Sequence, residues 1–323
     1  MYIMIKWDMF SDFLMRGEKI FKLVCGAGNE CRHDVERLCT IYSLAGAQVF
    51  DICAKPEILA AAKSGLKNAG IKEDRYICIS IGIKGDPHIS KAVIDRSKCF
   101  KCGKCDSVCI NNAIKNYSIE LSKCIGCARC LNICSAISMK ESDIDLKTVL
   151  PPLINDGIDC IELHVSSESA VDEKWDIITS NFGGILSICI DRLYLGNKQV
   201  IERIKKMIKK RAPYTTIIQA DGVPMSGYDD EYKTTLQAVA AAEIIQNAKL
   251  PVYIMLSGGT NSKTAQLAKL CSINYKGIAV GSYARKIVSE YIHRDDFYSN
   301  ETVFNSALYN AKKIVSELTL QTD

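Results

Sequence analysis

The chain of 323 residues has no long hydrophobic run and no large excess of charge of either sign. Its longest unbroken apolar stretch, LPVYIML at 250–256, is far shorter than the roughly 20 residues that cross a bilayer as a helix. The net charge of +4 is too small to indicate nucleic-acid binding by itself. We therefore expect neither a membrane nor a nucleic acid among its partners.

The first residues also lack the pattern of a secretory signal. Lys6, Asp8, Asp12 and Arg16 interrupt the apolar residues there, whereas a signal peptide has an uninterrupted apolar centre. Without export the expected location is cytoplasmic, where thiols stay reduced. The sixteen cysteines are therefore expected to be metal ligands and free thiols, and not disulfides.

Half of these cysteines occur in two copies of one spacing. CFKCGKCDSVC at 99–109 and CIGCARCLNIC at 124–134 both follow C-x2-C-x2-C-x3-C, the run found in bacterial two-cluster ferredoxins. In such a run three thiolates bind one cubane, and the fourth binds the other cluster. The spacing predicts two [4Fe–4S] clusters, the first on Cys99, Cys102, Cys105 and Cys134 and the second on Cys124, Cys127, Cys130 and Cys109.

Two independent zinc sites are the alternative for eight cysteines. Structural zinc sites are typically built from two paired C-x2–4-C units, and a tandem three-plus-one run is not that pattern. The proline that usually follows the fourth cysteine is missing, since Ile110 and Ser135 stand there. Because proline is not a ligand, this departure leaves the predicted ligand set unchanged.

The rest of the chain alternates short apolar, β-branched runs with longer helical patterns. Eight runs are continuous enough in apolar character for a parallel sheet buried on both faces, namely 21–25, 49–53, 76–82, 159–165, 184–190, 215–220, 251–256 and 277–281. Eight strand–helix units predict an α/β fold, a (β/α)8 TIM-like barrel. A doubly wound α/β sheet is the alternative, and the absence of a G-x-G-x-x-G after the first strand disfavours it.

The cysteine segment interrupts this pattern after the third strand. We therefore predict a discontinuous α/β barrel made of 1–83 and 142–323, with a two-cluster ferredoxin-like domain inserted at 84–141. Strand-to-helix loops of a barrel lie on its C-terminal face, so the clusters would stand over the barrel mouth. The alternative is a side appendage whose electrons go elsewhere.

Two glycine-containing loops follow the last two predicted strands, at 256–264 and 277–286. Barrels commonly bind a phosphate with these loops, because glycine lets the backbone approach and N–H groups at a helix start face the anion. The candidate cofactor-binding residues are Gly258, Gly259, Thr260, Gly281, Ser282 and Arg285. Thr260 is predicted to lie at the start of a helix. These loops predict a small phosphate-bearing ligand, and flavin mononucleotide (FMN) would complete an electron path; turn formation alone is the alternative.

Other polar residues are predicted at the ends of strands. They are Asp51, Glu162, His164, Asp191, Gln219 and Asp221. Carboxylates in such places act as general bases or as helix caps, and a structural role is the more common one for a single residue.

Several stretches, taken together, resemble the LdpA family, the light-dependent period proteins of cyanobacteria and plastid-bearing lineages. They are FKLVCGAG, IYSLAGAQVFDICAKPEILAAAKSGL, GDPHISKA, the double cysteine run, QADGVPMSG, LSGGTN and GIAVGSYARK. The resemblance implies an iron–sulfur protein that senses or relays redox state, with its cluster ligands on the eight cysteines above. In cyanobacteria this role adjusts circadian period through clock partners. The resemblance implies no catalytic residue.

Two functional hypotheses follow from the sequence. The first is an electron-transfer or redox-sensing protein that exchanges electrons with a protein redox partner. The second is a flavin-dependent oxidoreductase, similar to the dihydroorotate and dihydropyrimidine dehydrogenase barrels, in which the clusters supply electrons to the flavin. A nucleic-acid-binding regulator that uses the basic residues at 205–211 is disfavoured, because aromatic stacking residues do not interleave with them.

Overall fold

A computed structural model describes residues 6–83, 89–141, 144–165, 170–192, 195–222 and 229–319. Its strands are β1 (Ile20–Gly26), β2 (Val49–Cys53), β3 (Tyr76–Ile81), β4 (Ser90–Ile94), β5 (Ile114–Lys115), β6 (Ser118–Ile119), β7 (Ile137–Glu141), β8 (Cys160–Val165), β9 (Ile185–Ile190), β10 (Thr216–Asp221), β11 (Tyr253–Ser257) and β12 (Gly277–Val280). Eight of them form a closed barrel in the order β1-β12-β11-β10-β9-β8-β3-β2. The predicted barrel is therefore confirmed, and each predicted run is one of its strands.

The barrel strands pair in parallel and are buried along their length. Every residue of β3, β9 and β10 is buried, which explains why these runs read as continuous apolar sequence with no alternation. Outward-facing side chains pack beneath the surrounding helices, and inward-facing ones fill the barrel in layers.

Helices connect the strands and surround the barrel. They are α1 (Lys6–Met15), α2 (Arg32–Ala45), α3 (Pro56–Ala69), α4 (Lys104–Val108), α5 (Leu146–Asp156), α6 (Ala170–Asn181), α7 (Asn197–Ile208), α8 (Tyr232–Asn247), α9 (Thr264–Leu270), α10 (Ser282–Ile292) and α11 (Glu301–Thr319). Within the described residues, no helix combines the length and the apolar character that crossing a bilayer requires.

Helix α1 closes the barrel at the N-terminal ends of its strands. Phe10 and Phe13 are fully buried, and their rings lie 4.6 and 5.2 Å from the ring of Tyr76 at the start of β3. They belong to one apolar cluster with first or early strand residues such as Ile20 and Val49. The barrel interior is therefore sealed by aromatic side chains at this end.

The segment with the two cysteine runs adds no strand to the barrel among its described residues. Strands β4 and β7 pair with each other, and so do β5 and β6, both antiparallel. Helix α4 and a 3-10 helix (Arg129–Asn132) lie between these pairs in the chain. The division into 1–83, 84–141 and 142–323 stays a prediction, because its boundaries adjoin residues outside the described part.

Candidate functional site

The two cysteine runs share one backbone pattern. Lys101 and Gly126, which precede the second cysteine of each run, have φ of 54° and 73°. Gly103 and Ala128, which follow it, have φ of 74° and 58°. Left-handed residues on both sides of this cysteine bend the backbone tightly around it in each run.

The fourth cysteine of each run lies near cysteines of the other run, since Cys109 lines one small cavity with Cys124, Cys127 and Cys130 and Cys134 packs against the cluster that contains Cys105. Burial raises the pKa of Cys105 to about 11, with further contributions from Asp106 and from the nearby charge of Cys134. Burial also raises the pKa of Cys130 to about 11, and the neighbouring charges include that of Cys109. Since 105 and 109 belong to the first run and 130 and 134 to the second, the runs are interleaved in space.

Apolar residues and backbone donors surround these thiols. Cys105, Cys124 and Cys130 are buried in a small apolar cluster that also contains Ala92 and Ala113. The N–H of Ala92 donates to Sγ of Cys124 at 3.3 Å, and the N–H of Ala113 donates to Sγ of Cys109 at 3.2 Å. Donors to sulfur of this kind stabilise negative charge on thiolates and raise the potential of a bound cluster.

The thiols of the two runs are not gathered around single points. All eight cysteines are among the described residues, and no three of their sulfurs lie within 4.8 Å of one another. Four thiolates at 2.3 Å from one zinc ion would stand about 3.8 Å apart. The choice between two clusters and two zinc ions stays a prediction.

The second cysteine run is attached to the barrel mouth. Lys91 donates to the carbonyl of Cys124 at 2.6 Å and also to the carbonyl of Gly28, in the loop after β1. Its ammonium lies 3.3 Å from Glu30, whose N–H donates to the carbonyl of Ser122 at 2.8 Å. These contacts hold residues 125–128 over the C-terminal ends of the strands.

A cavity of about 240 Å³ lies between residues 125–128 and the barrel interior. The structure brings the six predicted phosphate-site residues together in its wall. They are Gly258, Gly259, Thr260, Gly281, Ser282 and Arg285. Whether they bind a phosphate stays a prediction.

One detail of that prediction is wrong: Thr260 does not begin a helix, since α9 begins at Thr264. The side-chain amide of Asn261 donates to the carbonyls of Asp229 and Glu231, both at 2.9 Å. The hydroxyl of Thr260 donates to the carbonyl of Ala279. The loop is thus fixed to its neighbours before the helix starts.

Two of the six residues have clear packing roles. Gly258 has φ of 67°, and a Cβ there would overlap Oδ1 of Asp221 and the backbone of Gly222. The guanidinium of Arg285 donates to the carbonyl of Val24 at 2.6 Å. Glycine at 258 is therefore required by the barrel itself, whatever the cavity binds.

At the floor of the cavity, a buried ion-pair network crosses the barrel. The ammonium of Lys22, on β1, lies 2.6 Å from Oε2 of Glu162 and 3.8 Å from Oδ1 of Asp51. All three residues are at most 2% exposed. Burial raises the pKa of Asp51 to about 6, whereas the pKa of Glu162 lies below its usual range because Lys22 and His164 outweigh the effect of burial.

Glu162 is held on both oxygens. The hydroxyl of Ser187 donates to Oε2 at 2.7 Å, next to the ammonium of Lys22. Nε2 of His164 lies 3.4 Å from Oε1. The hydroxyl of Ser80 also donates to Oε1 at 3.4 Å, so both carboxylate oxygens have polar partners.

Three neighbouring strands place a second polar layer just above this network. Strand register sets His164 of β8 beside Cys189 of β9, and Cys189 beside Gln219 of β10. Side chains two residues apart on a strand point the same way, so Asp221 follows Gln219 into the cavity, and its Oδ2 lies 3.4 Å from Sγ of Cys189. Asp191, predicted at a strand end, is not among the residues that line the cavity.

Lys22 and Cys189 are site residues that were not predicted from the sequence. A lysine inside the apolar run FKLVC was a usable signal, because a charge on a buried strand needs a buried partner. Cys189 gave no signal of its own, since buried cysteine usually acts as a small apolar residue. Residues 84–88 and 223–228, which hold parts of the GDPHISKA and QADGVPMSG stretches, lie outside the described residues.

Comparisons with known proteins agree with both the sequence patterns and the barrel. The family model described as the Light dependent period A C-terminal domain matches residues 153–317. Light dependent period A of Synechococcus elongatus is 30% identical over 316 residues, and the match covers 84% of this chain and 81% of that protein.

Solved structures with similar folds are distant in sequence. A ribulose-1,5-bisphosphate carboxylase/oxygenase from Pyrococcus horikoshii OT3 has a TM-score of 0.51 at 8% identity, over 96% of this chain and 59% of that one. GGGPS from Thermoplasma volcanium has a TM-score of 0.48 at 10% identity, over 96% and 98% of the two chains. At such identities the likeness concerns the fold alone.

Proposed function

Because the chain belongs to the light dependent period A (LdpA) family, we propose that it is an iron–sulfur protein that holds two [4Fe–4S] clusters and acts in electron transfer or redox sensing. The observation that carries the proposal is the interleaving of the two runs. Cys109 of the first run lines a small cavity with Cys124, Cys127 and Cys130 of the second, and Cys134 packs against the apolar cluster that contains Cys105. A crossed ligand set of this kind is what two adjacent ferredoxin-type clusters require. The clusters, when bound, supply one-electron exchange.

The protein's own residues fix the ligands and shield them from water. The first site would use Cys99, Cys102, Cys105 and Cys134, and the second would use Cys124, Cys127, Cys130 and Cys109. Backbone N–H groups on β4 and after α4 donate to the sulfurs, as described above. Apolar side chains from β4, β5 and β7 cover the inner faces.

The two sites would differ in what they face. In the first run Cys102 is exposed, and the side chain of Phe100 is 93% exposed. In the second run Cys127 lines the barrel cavity. We infer that a protein redox partner approaches the first run, because electron transfer needs a short path to the surface, and that the second run communicates with the cavity.

Pairs of cysteine substitutions test the crossed ligand set. We expect anaerobically purified wild-type protein to contain about eight irons per chain. Cys105→Ser/Cys134→Ser removes two ligands of one predicted cluster and should retain about four irons. Cys105→Ser/Cys109→Ser removes one ligand from each cluster and should lose most of both. Cys271→Ser, an exposed cysteine outside both runs, is the control.

Other results would contradict the proposal. Colourless anaerobic protein, or zinc in place of iron, would exclude the clusters. More iron in Cys105→Ser/Cys109→Ser than in Cys105→Ser/Cys134→Ser would mean that each run binds its own cluster. Electron paramagnetic resonance after dithionite reduction, with the broadening expected of two interacting centres, provides an independent check.

A flavin-dependent oxidoreductase is the second candidate, and one observation favours it. The six predicted phosphate-site residues and Cys127 line the same cavity, so a ligand held there would be next to the second cluster. Mass spectrometry of the cofactors released by acid distinguishes the two candidate functions. FMN at about one per chain would favour the oxidoreductase. Clusters without flavin would favour the electron carrier or redox sensor.

A further inference from the structure

A second set of metal-ligand side chains lies inside the barrel, away from both cysteine runs. One carboxylate oxygen of Glu162, one ring nitrogen of His164 and Sγ of Cys189 all lie within 4.8 Å of one another. No other group of three such side chains is this close in the part of the chain that the structure describes. All three residues line the cavity at the barrel mouth.

The separations are close to those of bound ligands. Donors at 2.0–2.3 Å from a tetrahedral zinc ion stand about 3.3–3.8 Å apart. Nε2 of His164 is already 3.4 Å from Oε1 of Glu162. On the other side of Cys189, Oδ2 of Asp221 accepts from the thiol at 3.4 Å and so helps to position the sulfur.

The surrounding residues orient the proposed ligands. Lys22 and Ser187 both contact Oε2 of Glu162, at 2.6 and 2.7 Å. Oε1 lies between the hydroxyl of Ser80, which donates to it at 3.4 Å, and Nε2 of His164. Carboxylate ligands fixed in this way by outer contacts are typical of metal sites.

Charge also favours a cation at this place. Three buried carboxylates, on Asp51, Glu162 and Asp221, line the cavity, and Lys22 is the buried ammonium among them. Arg285 lines the same cavity and donates to the carbonyl of Val24, so three carboxylates face two cationic side chains. A divalent ion would offset the excess of negative charge in this low-dielectric interior.

We propose that Glu162, His164 and Cys189, supported by Asp221, form a mononuclear site for a divalent transition metal, and that zinc is the ion best suited to it. A thiolate, an imidazole and a carboxylate are ligands that zinc accepts together. Metal binding would release the thiol proton of Cys189 to solvent.

The site would keep one side open. Gln219 is 1% exposed, lines the cavity, and its Oε1 has no hydrogen-bond partner among the described residues. An unpaired buried carbonyl is costly, so a donor on a bound molecule would find an acceptor there. The metal would thus stand between the protein and a small ligand under residues 125–128, with Gln219 as a further contact.

Zinc binding by the full-length protein tests the proposal. The chain is prepared anaerobically with its iron in place, dialysed against a chelator and then against zinc, and its metals are measured by mass spectrometry. We expect about one zinc per chain in the wild type. His164→Gln and Cys189→Ser should each weaken zinc binding at least tenfold, with iron content unchanged.

A control variant and a thermal-stability measurement accompany the zinc analysis. Cys160→Ser changes a buried thiol on β8 in the apolar layer below and should bind zinc as the wild type does. Zinc should also raise the thermal midpoint of the wild type but not that of Cys189→Ser. Zinc bound equally by wild type and both ligand variants, or absent from all of them, would overturn the site. Loss of iron with retention of His164-dependent zinc would contradict the clusters and leave this site standing.

Discussion

Removing the ammonium of Lys22 provides the sharpest test of the buried network. In Lys22→Met the apolar part of the side chain is kept, but Glu162 and Asp51 lose the cation that lies 2.6 and 3.8 Å away. Breaking a buried ion pair by removing one partner is destabilising by about 3–5 kcal/mol. The three residues are at most 2% exposed, so water does not replace the lost contact, and we expect the full effect.

The thermal midpoint measures this effect at a fixed scan rate, under anaerobic conditions and with a chelator that removes other metals. A loss of this size lowers the midpoint by roughly 5–15 °C. Lys22→Met/Glu162→Gln removes both charges, and because a neutral pair often replaces a buried ion pair at little net expense, it should recover more than half of the loss. Lys198→Met is the control: that side chain is 89% exposed beside Glu202, and its pair contributes about 0.3–0.5 kcal/mol.

Two results would refute the reasoning about Lys22. One is a Lys22→Met midpoint within about 2 °C of the wild type, which corresponds to less than about 1 kcal/mol. The other is a double variant that is less stable than the single one, because that would mean that Glu162 does not depend on the lysine for its counter-charge.

Three further predictions concern glycine packing, the barrel floor and the attachment of the second cysteine run. Gly258→Ala should destabilise the fold by at least about 2 kcal/mol, since it combines a left-handed backbone with overlap onto Asp221; in Gly70→Ala, where φ is 70° and no atom lies near the new Cβ, the backbone term of about 1 kcal/mol should act alone. Phe10→Ala should destabilise by about 3–5 kcal/mol through a cavity against Tyr76, whereas Met9→Ala, at a side chain 51% exposed, should change the thermal midpoint little; equal effects would show that α1 does not seal the barrel. Lys91→Met should release iron to a chelator roughly tenfold faster, because it loses charge-assisted bonds to two carbonyls; Lys140→Met, at the residue paired with Lys91 across the β4–β7 ladder, is the matched control, and equal rates for the two would contradict the prediction.

Most of the barrel was predictable because its signal is local. A strand buried on both faces reads as a short continuous apolar run, and all eight runs proved to be strands. Helix α1 was not predicted, since Lys6, Asp8 and Asp12 obscure its apolar face. Phe10, Phe13 and Leu14 are buried on that face and have the i, i+3, i+4 spacing of a helix. Three residues are too few for this spacing to stand out in the sequence alone.

The candidate site was predictable only where residues are close in sequence. Glu162 and His164 are two residues apart on one strand and must point the same way. Cys189 joins them through the register of β8 against β9, and no local pattern encodes that register. The start of α9 was placed too early because the side-chain bonds of Asn261 reach a loop some 30 residues away in the chain.

The cysteine loop at 125–128 forms the ceiling of the cavity, and α1 closes the opposite end of the barrel. A ligand in the cavity would therefore contact the loop that contains Cys127, a proposed cluster ligand. Thermodynamic linkage then works in both directions. If a ligand in the cavity shifts the redox equilibrium of the cluster by some factor, the change of oxidation state shifts the affinity for that ligand by the same factor. If the second cluster is bound, the four residues 125–128 would therefore couple ligand binding in the cavity to the oxidation state of that cluster.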